Sequence, residues 1–459
     1  MPELPEVETV KRRLTPSIKN KKITDVNVFY SKYNHLNDIK NEVILDINRK
    51  GKFLIFTLSN HMMVSHLRME GKYRIEKNPV KDKHDLVFFN LDDGNTLVYN
   101  DTRKFGVFNL FPKGTDVFKE EPLINVGPEP FYLTKEELLE SLKGKSTHIK
   151  TALLDQSIIS GLGNIYVDEV LFMSRVNPFR KASSVTPDEV ESIIKNSIIV
   201  LNNAINAGGT TIRSFESFNG ESGHFQGNLL VHEREYERCP ACGNIIFKEK
   251  CNGRGTYLCK SCERLFGYKM YAITGTFASG KSTVLDIISE LGYKTYSLDK
   301  IYQELFSNDE KRKKEIFKNF KTLDRAELRD LVYNDFNKDN LLKTITHKYI
   351  FKELFNQIEK NQDSIIFVEV PLLFDDGYEK VFDKVIDVYV SEDIEKIVLK
   401  NRNISSLTKA QTDSNQLSKE DKMKKADYVI NNTSTLNHLK EETIKVLKEL
   451  GVWDFSKQQ

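Results

Sequence analysis

The chain has 459 residues, a formal net charge of +2, 39% hydrophobic residues and 29% charged residues. Because domains usually hold about 100–200 residues, this length predicts two or three domains, and the ordinary composition excludes wholesale disorder. No run approaches the ~18 apolar residues of a membrane-spanning helix, and the acidic N-terminus lacks the apolar core of a secretory signal. We therefore expect a cytoplasmic protein with no membrane partner.

The first block of the chain is rich in short β-branched and aromatic runs separated by turn residues, which predicts a β-sandwich or barrel. From about residue 134 to residue 207 the pattern becomes helical. Helix starts are predicted at Thr134 and Thr186, since each is followed three residues later by a glutamate. The predicted strands are 23–30, 43–48, 52–58, 62–67, 85–90 and 96–100.

All five cysteines lie between positions 239 and 262. Four of them form two Cys-x-x-Cys pairs, a spacing typical of a tetrahedral zinc site with four thiolate ligands. Two disulfides are the alternative, which a reducing compartment disfavours. We predict that Cys239, Cys242, Cys259 and Cys262 bind one structural Zn²⁺ and that Cys251 is a free thiol.

The N-terminus offers a candidate nucleophile. Once Met1 is removed, Pro2 carries a secondary amine that is partly neutral at cellular pH and able to attack an aldehyde carbon. Glu3 and Glu6 place carboxyl groups beside it for proton transfer. Taken alone, these residues are more typical of an ordinary surface segment, so the interpretation depends on the rest of the chain.

A series of motifs over residues 2–264 resembles formamidopyrimidine-DNA glycosylase in order and spacing. The series is Pro2-Glu-Leu-Pro-Glu-Val-Glu-Thr9, Lys52, His66-Leu-Arg-Met69, Asp101-Thr-Arg-Lys-Phe-Gly106, Ile149-Lys-Thr-Ala-Leu-Leu-Asp-Gln156, Gly161-Leu-Gly-Asn-Ile-Tyr166, Gly208-Gly-Thr-Thr-Ile-Arg213 and the four cysteines. The resemblance implies a repair enzyme that excises oxidised purines, such as 8-oxoguanine and formamidopyrimidine, from double-stranded DNA and then cleaves the strand. The implied α+β fold is a β-sandwich over 1–130, a helix-two-turn-helix domain over 131–230 and a zinc-finger hairpin over 231–266.

The same resemblance implies roles for individual residues. Pro2 matches the nucleophile that attacks the sugar C1′, Glu3 the proton donor, and Lys52 the lysine of β-elimination. Arg254 matches the finger arginine that grips the DNA backbone and acts in δ-elimination. The residue types agree, because base loss needs protonation and a covalent trap. The implied DNA-binding residues are His66, His84, Arg103, Lys145 and Asn164, and the implied residues that fill the gap left by the extruded base are Met69, Arg103 and Phe105.

Some positions depart from the pattern of this family. Arg68 and Glu70 stand where the family usually has a Gly and a small hydroxyl residue. Ser217 replaces a frequent Asn in the loop over 215–226, and Glu233 replaces a Gly. These departures bear on base preference and leave the catalytic set intact.

The second half of the chain begins with a phosphate-binding motif. Gly275-Thr-Phe-Ala-Ser-Gly-Lys-Ser282 follows a predicted strand over 271–274 and precedes a predicted helix over 283–291. Backbone N–H groups of such a loop wrap phosphate, the lysine supplies charge and the hydroxyl binds Mg²⁺. Strands then alternate with helices, which predicts a parallel sheet. The predicted ATP-binding residues of this motif are Gly275, Ala278, Ser279, Gly280, Lys281, Ser282 and Thr283.

Three later motifs resemble dephospho-CoA kinase over about 270–450. They are Leu298-Asp-Lys-Ile-Tyr-Gln-Glu304, Val368-Glu-Val-Pro-Leu-Leu-Phe374 and Ala426-Asp-Tyr-Val-Ile-Asn431. The resemblance implies a P-loop α/β kinase domain over 270–459 that phosphorylates the ribose 3′-hydroxyl of dephospho-CoA with ATP and Mg²⁺. Asp299 matches the catalytic aspartate, and His347 matches a histidine of the substrate region.

This half departs further from its family. Thr276 and Ser297 stand where a Gly and an Asp are usual, and the lid over 402–419 is short. The resemblance implies that Arg402, the lid's single arginine, binds ATP, with Lys409 or Lys419 as candidate substitutes. Lysine lacks the bidentate fork of arginine.

The short junction and Met270 indicate two proteins fused head to tail, so we expect a multidomain, bifunctional chain without an obligate protein partner. The alternatives are a glycosylase joined to a degenerate nucleotide-binding module and a repair enzyme regulated by ATP. For the first half, a non-catalytic zinc-finger DNA-binding protein is a further alternative. Because the finger is predicted to be a separate metal-dependent unit, metal loss is expected to stop DNA nicking and spare the kinase.

Overall fold

A computed structural model describes residues 2–210, 223–333, 335–401 and 417–453 of the chain, which divides into two compact units. The N-terminal unit holds the residues up to Glu233 and the segment Lys248–Leu258. The C-terminal unit holds Arg234–Phe247 and the residues from Cys259 onward. Within the described ranges, no helix is both long enough and apolar enough to cross a membrane.

Two antiparallel four-stranded sheets form the first part of the N-terminal unit. Their strands are β1 (Ile23–Val28), β2 (Ile44–Lys50), β3 (Phe53–Leu58), β4 (His61–His66), β5 (Lys72–Lys77), β6 (Asp85–Leu91), β7 (Asn95–Asn100) and β8 (Val107–Pro112). The strand orders are β1-β6-β7-β5 and β2-β3-β4-β8. Alternate residues such as Leu54, Phe56 and Leu58 enter one hydrophobic core. The predicted sandwich is confirmed.

Helices form the second part of this unit, together with a first helix that sequence analysis did not predict. They are α1 (Leu4–Ile18), α2 (Lys135–Leu142), α3 (Ile149–Leu153), α4 (Asn164–Met173) and α5 (Pro187–Asn206). The predicted starts are confirmed, because Thr134 and Thr186 each accept a hydrogen bond from the backbone of the glutamate three residues on. Helix α1 joins two cores, since Val7 packs in the sandwich core and Leu4 packs among the helices.

A two-stranded hairpin follows, formed by β9 (Phe247–Cys251) and β10 (Arg254–Leu258). Its two turn residues, Asn252 and Gly253, have φ values of 46° and 79°. Positive φ at both positions is the geometry that matches the twist of a tight hairpin. The turn therefore presents Arg254 at the tip.

A five-stranded parallel sheet organises the C-terminal unit. Its strands are β11 (Lys269–Thr274), β12 (Lys294–Ser297), β13 (Ile365–Glu369), β14 (Lys384–Val390) and β15 (Tyr428–Asn432). Its helices are α6 (Lys281–Glu290), α7 (Leu298–Asn308), α8 (Glu310–Phe320), α9 (Arg325–Tyr333), α10 (Phe336–Asn361), α11 (Glu392–Asn401), α12 (Lys419–Lys425) and α13 (Leu436–Glu449).

The strand order of this sheet is β12-β13-β11-β14-β15, and every pairing is parallel, as predicted. The strand before the phosphate-binding motif, β11, is central. From β11 the chain continues to β12 on one side of the sheet, and from β13 it crosses to β14 on the other side. Ligands bind parallel sheets at the point where the chain connections change side in this way. The fold thus places the loop over 275–280 where a nucleotide site is expected.

Candidate active sites

Glu3 is the N-cap residue of α1, and its side chain is only 3% exposed. Its Oε2 accepts a hydrogen bond from Gly163 N at 2.6 Å, and its Oε1 accepts one from Ile165 N at 3.0 Å. Both amides lie at the N-terminus of α4, where the helix dipole favours negative charge. Burial nevertheless raises the pKa of Glu3 above its ordinary value. A carboxyl group that retains its proton to higher pH suits proton donation.

Glu6 holds the first residues of the chain in position through hydrogen bonds. Its carboxylate accepts hydrogen bonds from Glu3 N at 2.8 Å, from Thr210 N at 2.8 Å and from the Tyr166 hydroxyl at 2.5 Å. These donors come from three separate segments of the N-terminal unit. Pro2 is buried beside this network. Glu6 therefore orients the residues that carry the predicted nucleophile and proton donor.

Lys52 completes the same site. Its side chain is buried, and its Nζ donates to Leu162 O at 2.6 Å. Burial lowers the pKa of Lys52, and the nearby Glu3 carboxylate opposes this effect. A lowered pKa increases the neutral fraction of the amine, which is the reactive form toward carbonyl and imine carbons. The structure thus brings Pro2, Glu3 and Lys52 together from two distant parts of the sequence.

Gly163 is required by the close packing of this site. A Cβ atom at this position would lie 2.2 Å from Glu3 Cδ. Its backbone N–H is also a donor to Glu3. Sequence analysis quoted the motif around Gly163 without assigning this role, because only the fold shows which carboxylate the glycine faces.

His66, at the end of β4, is buried, and burial lowers its pKa to about 3. Its Nδ1 accepts a hydrogen bond from Arg68 N at 2.9 Å. The neutral ring therefore carries its proton on Nε2. His66 is available as a neutral hydrogen-bond donor, not as a cation.

Three residues predicted to fill the gap left by an extruded base lie at the surface. Met69 is 38% exposed and Phe105 is 51% exposed. Arg103 is exposed as well, with its guanidinium 4.7 Å from the centre of the Phe105 ring. Exposed apolar side chains beside a cation match the chemistry of a DNA wedge. His84 and Lys145 are half-buried.

The hairpin that carries Arg254 is fastened to α3 and α4 by buried polar contacts. Asn164 Nδ2 donates to Gly255 O at 2.9 Å. The buried Lys150 Nζ donates to Asp168 Oδ1 at 2.7 Å and to Thr256 Oγ1 at 2.9 Å. Sequence analysis missed Lys150 and Asp168, although Lys150 lies within a quoted motif. Arg254 itself is exposed.

The four predicted zinc ligands are brought together in the C-terminal unit, with their sulfur atoms all within 4.8 Å of one another. The Cys239 and Cys262 sulfurs are 3.8 Å apart, and those of Cys242 and Cys259 are 3.5 Å apart. A tetrahedral site with Zn–S bonds of about 2.3 Å places sulfurs about 3.8 Å apart. The cluster therefore fits one structural Zn²⁺. Cys251 lies outside it, on β9.

The phosphate-binding loop surrounds a cavity of about 140 Å³. Gly280 has a φ of 99°, a conformation that favours glycine, and α6 begins at the next residue. Lys281 Nζ donates to Thr276 O at 2.7 Å and to Gly275 O at 3.2 Å. Burial lowers the pKa of Lys281 to about 8. The remaining predicted loop residues, Ala278, Ser279, Ser282 and Thr283, lie along the loop and the first turn of α6.

Two carboxyl groups line the same cavity. Glu369, at the end of β13, accepts a hydrogen bond from Ser282 Oγ at 3.0 Å. Asp299 is exposed in the first turn of α7, and desolvation by the cavity walls, followed by the charge of Glu369, raises its pKa. Carboxylate and hydroxyl oxygens are the ligands that Mg²⁺ prefers. Sequence analysis assigned no role to Glu369, although a carboxylate at the end of a strand beside the loop is a usable signal.

The predicted lid is described only in part. Arg402, Lys409, Arg213 and Ser217 lie outside the described residues. Lys419 Nζ donates to Glu395 Oε2 at 2.9 Å and to Val390 O at 3.3 Å. Lys419 therefore forms an ion pair with a protein carboxylate in this structure.

Comparison with known families divides the chain at the same place as its motifs. Residues 1–108 match the model of the formamidopyrimidine-DNA glycosylase N-terminal domain, and residues 126–216 match its H2TH domain. Residues 269–438 match the dephospho-CoA kinase model. The formamidopyrimidine-DNA glycosylase of Oceanobacillus iheyensis is 44% identical over 275 residues, which are 57% of this chain and 98% of that protein. The Mycoplasma mobile enzyme is 43% identical over 279 residues, which are 58% of this chain and all of that protein.

Solved structures give the same result for the N-terminal part. A Lactococcus lactis FPG mutant in complex with DNA containing Fapy-dG aligns with a TM-score of 0.55 and 35% identity. The alignment covers 57% of this chain and 100% of the Lactococcus lactis chain. The Lactococcus lactis Fpg in complex with DNA containing an abasic site aligns with a TM-score of 0.54 and 36% identity, over 57% of this chain and 99% of that chain.

Proposed function

Because this chain belongs, through its N-terminal part, to the formamidopyrimidine-DNA glycosylase family, we propose that it excises oxidised purines from double-stranded DNA and cleaves the resulting abasic site. The observation that carries the proposal is the single buried site formed by Pro2, Glu3 and Lys52. We also propose that residues 270–459 phosphorylate dephospho-CoA. The proposed domain boundaries are 1–130, 131–230, 231–266 and 270–459.

The N-terminal chemistry follows from the residues present. The Pro2 amine forms a bond to the sugar C1′ as the bond from C1′ to the base breaks, and the amine proton leaves with the base. Glu3 then donates its proton to the ring oxygen O4′ as the C1′–O4′ bond breaks, and this ring opening produces an iminium between Pro2 and C1′. The resulting iminium acidifies the neighbouring C–H, so that loss of this proton expels the 3′ phosphate. Lys52, with its lowered pKa, is the proposed base or shuttle for that proton.

DNA is the proposed partner of the exposed residues of the same unit. Arg254 provides the permanent positive charge for a phosphate, whereas His66 provides a neutral N–H. Met69, Arg103 and Phe105 are proposed to enter the space of the extruded base, which offsets the cost of unstacking. His84, Lys145 and Asn164 complete the proposed DNA-binding set.

Borohydride reduction tests the N-terminal proposal directly. Purified protein with Met1 removed is mixed with duplex DNA that contains 8-oxoguanine, and borohydride is added. A covalent protein–DNA adduct that maps to Pro2 is expected. Strand cleavage with no trapped adduct would contradict an N-terminal nucleophile, and binding without excision would favour a non-catalytic zinc-finger protein.

The kinase proposal rests on the cavity that Lys281, Ser282, Asp299 and Glu369 line. Lys281 and the loop amides would hold the ATP phosphates, and Ser282 and Glu369 would hold Mg²⁺, which when bound neutralises phosphate charge. Asp299 would accept the 3′-hydroxyl proton as the new O–P bond forms and ADP leaves. The raised pKa of Asp299 makes it a better proton acceptor than an ordinary aspartate.

A degenerate nucleotide-binding module is the second candidate for this half. The observation that favours it is Ser297, whose hydroxyl caps α7 where the family has a second carboxylate. Incubation of the full chain with ATP, Mg²⁺ and dephospho-CoA separates the candidates. CoA formation supports the kinase, whereas ATP binding without CoA supports the degenerate module. ATP-dependent DNA nicking without CoA would instead indicate regulation by nucleotide.

A further inference from the structure

The two cysteine knuckles pack within the same compact unit as the kinase sheet. The Ser261 hydroxyl, next to the ligand Cys262, donates to Val381 O at 2.9 Å. Lys260 Nζ lies 3.0 Å from Glu359 Oε2, on α10. Ser261 and Lys260 are both buried. The second knuckle is therefore held by kinase-domain residues on two sides.

A charged contact links this knuckle to the strand that precedes the phosphate-binding loop. Arg264 Nη1 donates to Asp383 Oδ2 at 2.8 Å and to Tyr268 O at 2.6 Å. The same Asp383 oxygen accepts a hydrogen bond from Met270 N at 2.7 Å. Met270 belongs to β11, which leads directly into the loop. Charge-assisted hydrogen bonds of this kind are stronger than neutral ones.

The first knuckle makes its contact through Arg238. The guanidinium lies 4.5 Å from the centre of the Tyr378 ring, and its Nη1 donates to Gly243 O at 3.1 Å. The Tyr378 hydroxyl is 2.9 Å from His347 Nδ1 on α10. A Cβ atom on Gly243 would lie 2.9 Å from Gly377 O, so the two backbones approach each other closely. Arg238 thus holds Tyr378, and Tyr378 holds His347.

We propose that the cysteine knuckles are a structural part of the kinase domain and that Arg238 is a positioning residue for its substrate side. Zinc bound by the four cysteines then stabilises β11 and the Tyr378–His347 pair. This differs from the sequence-based expectation that metal loss spares the kinase. The substrate part of the inference rests on the proposed kinase function, whereas the packing part is independent of it.

Hydrogen exchange on the full chain tests the packing part without any activity assay. Zinc is removed with a chelator that spares Mg²⁺, and exchange is compared in peptides from β11, from residues 378–390 and from the sandwich strand β3. We expect about tenfold faster exchange in the first two peptides and no change in β3, because protection reports local stability. Unchanged exchange in the kinase peptides would overturn the proposal.

Two substitutions repeat the test with zinc in place. Arg238→Ala removes the contact with the Tyr378 ring together with the hydrogen bond to Gly243 O, and Ser261→Ala removes the hydrogen bond to Val381 O. Arg329→Ala is the matched control because its side chain is 77% exposed on α9. We expect faster exchange over 378–390 in the Arg238 variant and faster exchange over 378–384 in the Ser261 variant. The control should be unchanged. Equal exchange in all three variants would also overturn the proposal.

Kinetics test the positioning role. Arg238→Ala is expected to raise KM for dephospho-CoA about fivefold or more with kcat nearly unchanged, and Arg238→Lys is expected to recover part of this loss because lysine retains the cation–π contact. DNA nicking should remain at the unmutated rate. An unchanged KM beside altered exchange would overturn the positioning role. If the unmutated protein forms no CoA, the proposed kinase function fails, and hydrogen exchange still decides the packing.

Discussion

The two candidate sites use the same pair of groups in different ways. Each combines a lysine whose pKa is lowered by burial with a carboxyl group whose pKa is raised, namely Lys52 with Glu3 and Lys281 with Asp299. Glu3 is buried and accepts backbone N–H hydrogen bonds from Gly163 and Ile165, which are 160 and 162 positions away. Asp299 is exposed at the edge of its cavity. At the first site, hydrogen bonds from distant segments hold the carboxyl group, whereas at the second site the lysine is held by carbonyl groups of its own phosphate loop.

The largest expected effect comes from removing the nucleophile of the first site. Pro2→Gly, or a tag left in front of Pro2, should reduce base excision and the trapped adduct about 1000-fold or more, because the reactive secondary amine is lost. Glu3→Gln should reduce excision by about 100- to 10,000-fold, since it removes the proton source. Single-turnover excision of 8-oxoguanine measures both. Full activity of a tagged, uncleaved protein would contradict the N-terminal nucleophile.

The matching change in the second site is Lys281→Ala. It should reduce CoA formation about 100- to 1000-fold, because the charge that faces the ATP phosphates is removed. Asp299→Asn should lower kcat and leave ATP affinity nearly unchanged, because the phosphate loop is intact. A coupled ADP-release assay and ATP titration measure the two effects. Neither substitution should alter DNA nicking, and a loss of nicking would mean that the two activities are not independent.

Gly163→Ala tests whether the first site depends on exact packing. The added Cβ would lie 2.2 Å from Glu3 Cδ, so the carboxyl group must move, and we expect about a 10- to 100-fold loss of base excision. Gly227→Ala is the matched control, because a Cβ there meets nothing within 4 Å. Excision rates and melting temperatures of both variants are compared. Equal rates would show that Glu3 tolerates displacement.

The pH dependence of ATP binding sharpens the comparison for the second site. The Lys281 ammonium is present below its pKa of about 8 and is lost as pH rises through that value. The Kd for ATP should therefore increase about tenfold between pH 7 and pH 9. Calorimetric titration at several pH values measures this change. The Lys281→Ala variant should show weak binding with a flat profile, and a steep profile in that variant would assign the titration to another group.

The smallest expected effect is a change in the salt dependence of DNA binding, which distinguishes a charged contact at Arg254 from a neutral contact at His66. Each phosphate neutralised by a cation contributes about 0.9 to the slope of log K against log salt concentration. Arg254→Ala should reduce the slope by about this amount. His66→Ala should weaken binding with an unchanged slope, because burial keeps His66 neutral. Binding to a duplex with a stable abasic analogue over a range of salt concentrations tests this, and a reduced slope for the His66 variant would mean that its ring is charged in the complex.

Local patterns predicted one site more completely than the other. The phosphate loop lies within eight consecutive residues, so its motif gave both the ligand class and the lysine. The N-terminal site draws Glu6, Tyr166 and Thr210 from three distant segments, and no local pattern indicates that these side chains meet. Strands β5 and β8 and helix α1 were also missed, although Tyr73 and Ile75 alternate with charged residues in β5. In α1, apolar residues recur at helical spacing, at Leu4, Val7, Val10, Leu14 and Ile18.

Two departures from the family pattern acquire a physical meaning in the structure. Arg68 and Glu233 stand where glycine is usual, and their φ values are 56° and 62°. A non-glycine residue in this region carries a strain of about 1 kcal/mol. The sequence shows the departure, but only the backbone shows that it falls on left-handed positions. Replacement of either residue by Gly is therefore compatible with the fold.

The division into two units has a consequence for how the protein can be inherited and dissected. The chain passes from one unit to the other after Glu233, after Phe247 and after Leu258, whereas the family matches place the genetic junction near residue 269. A gene cut at that junction would release an N-terminal product with both knuckles but without the residues that surround them in the C-terminal unit. The junction between the two matched families and the boundary between the two compact units therefore lie at different residues. A truncation that keeps the C-terminal unit whole must therefore begin before the first knuckle, at about Arg234 and not at residue 269.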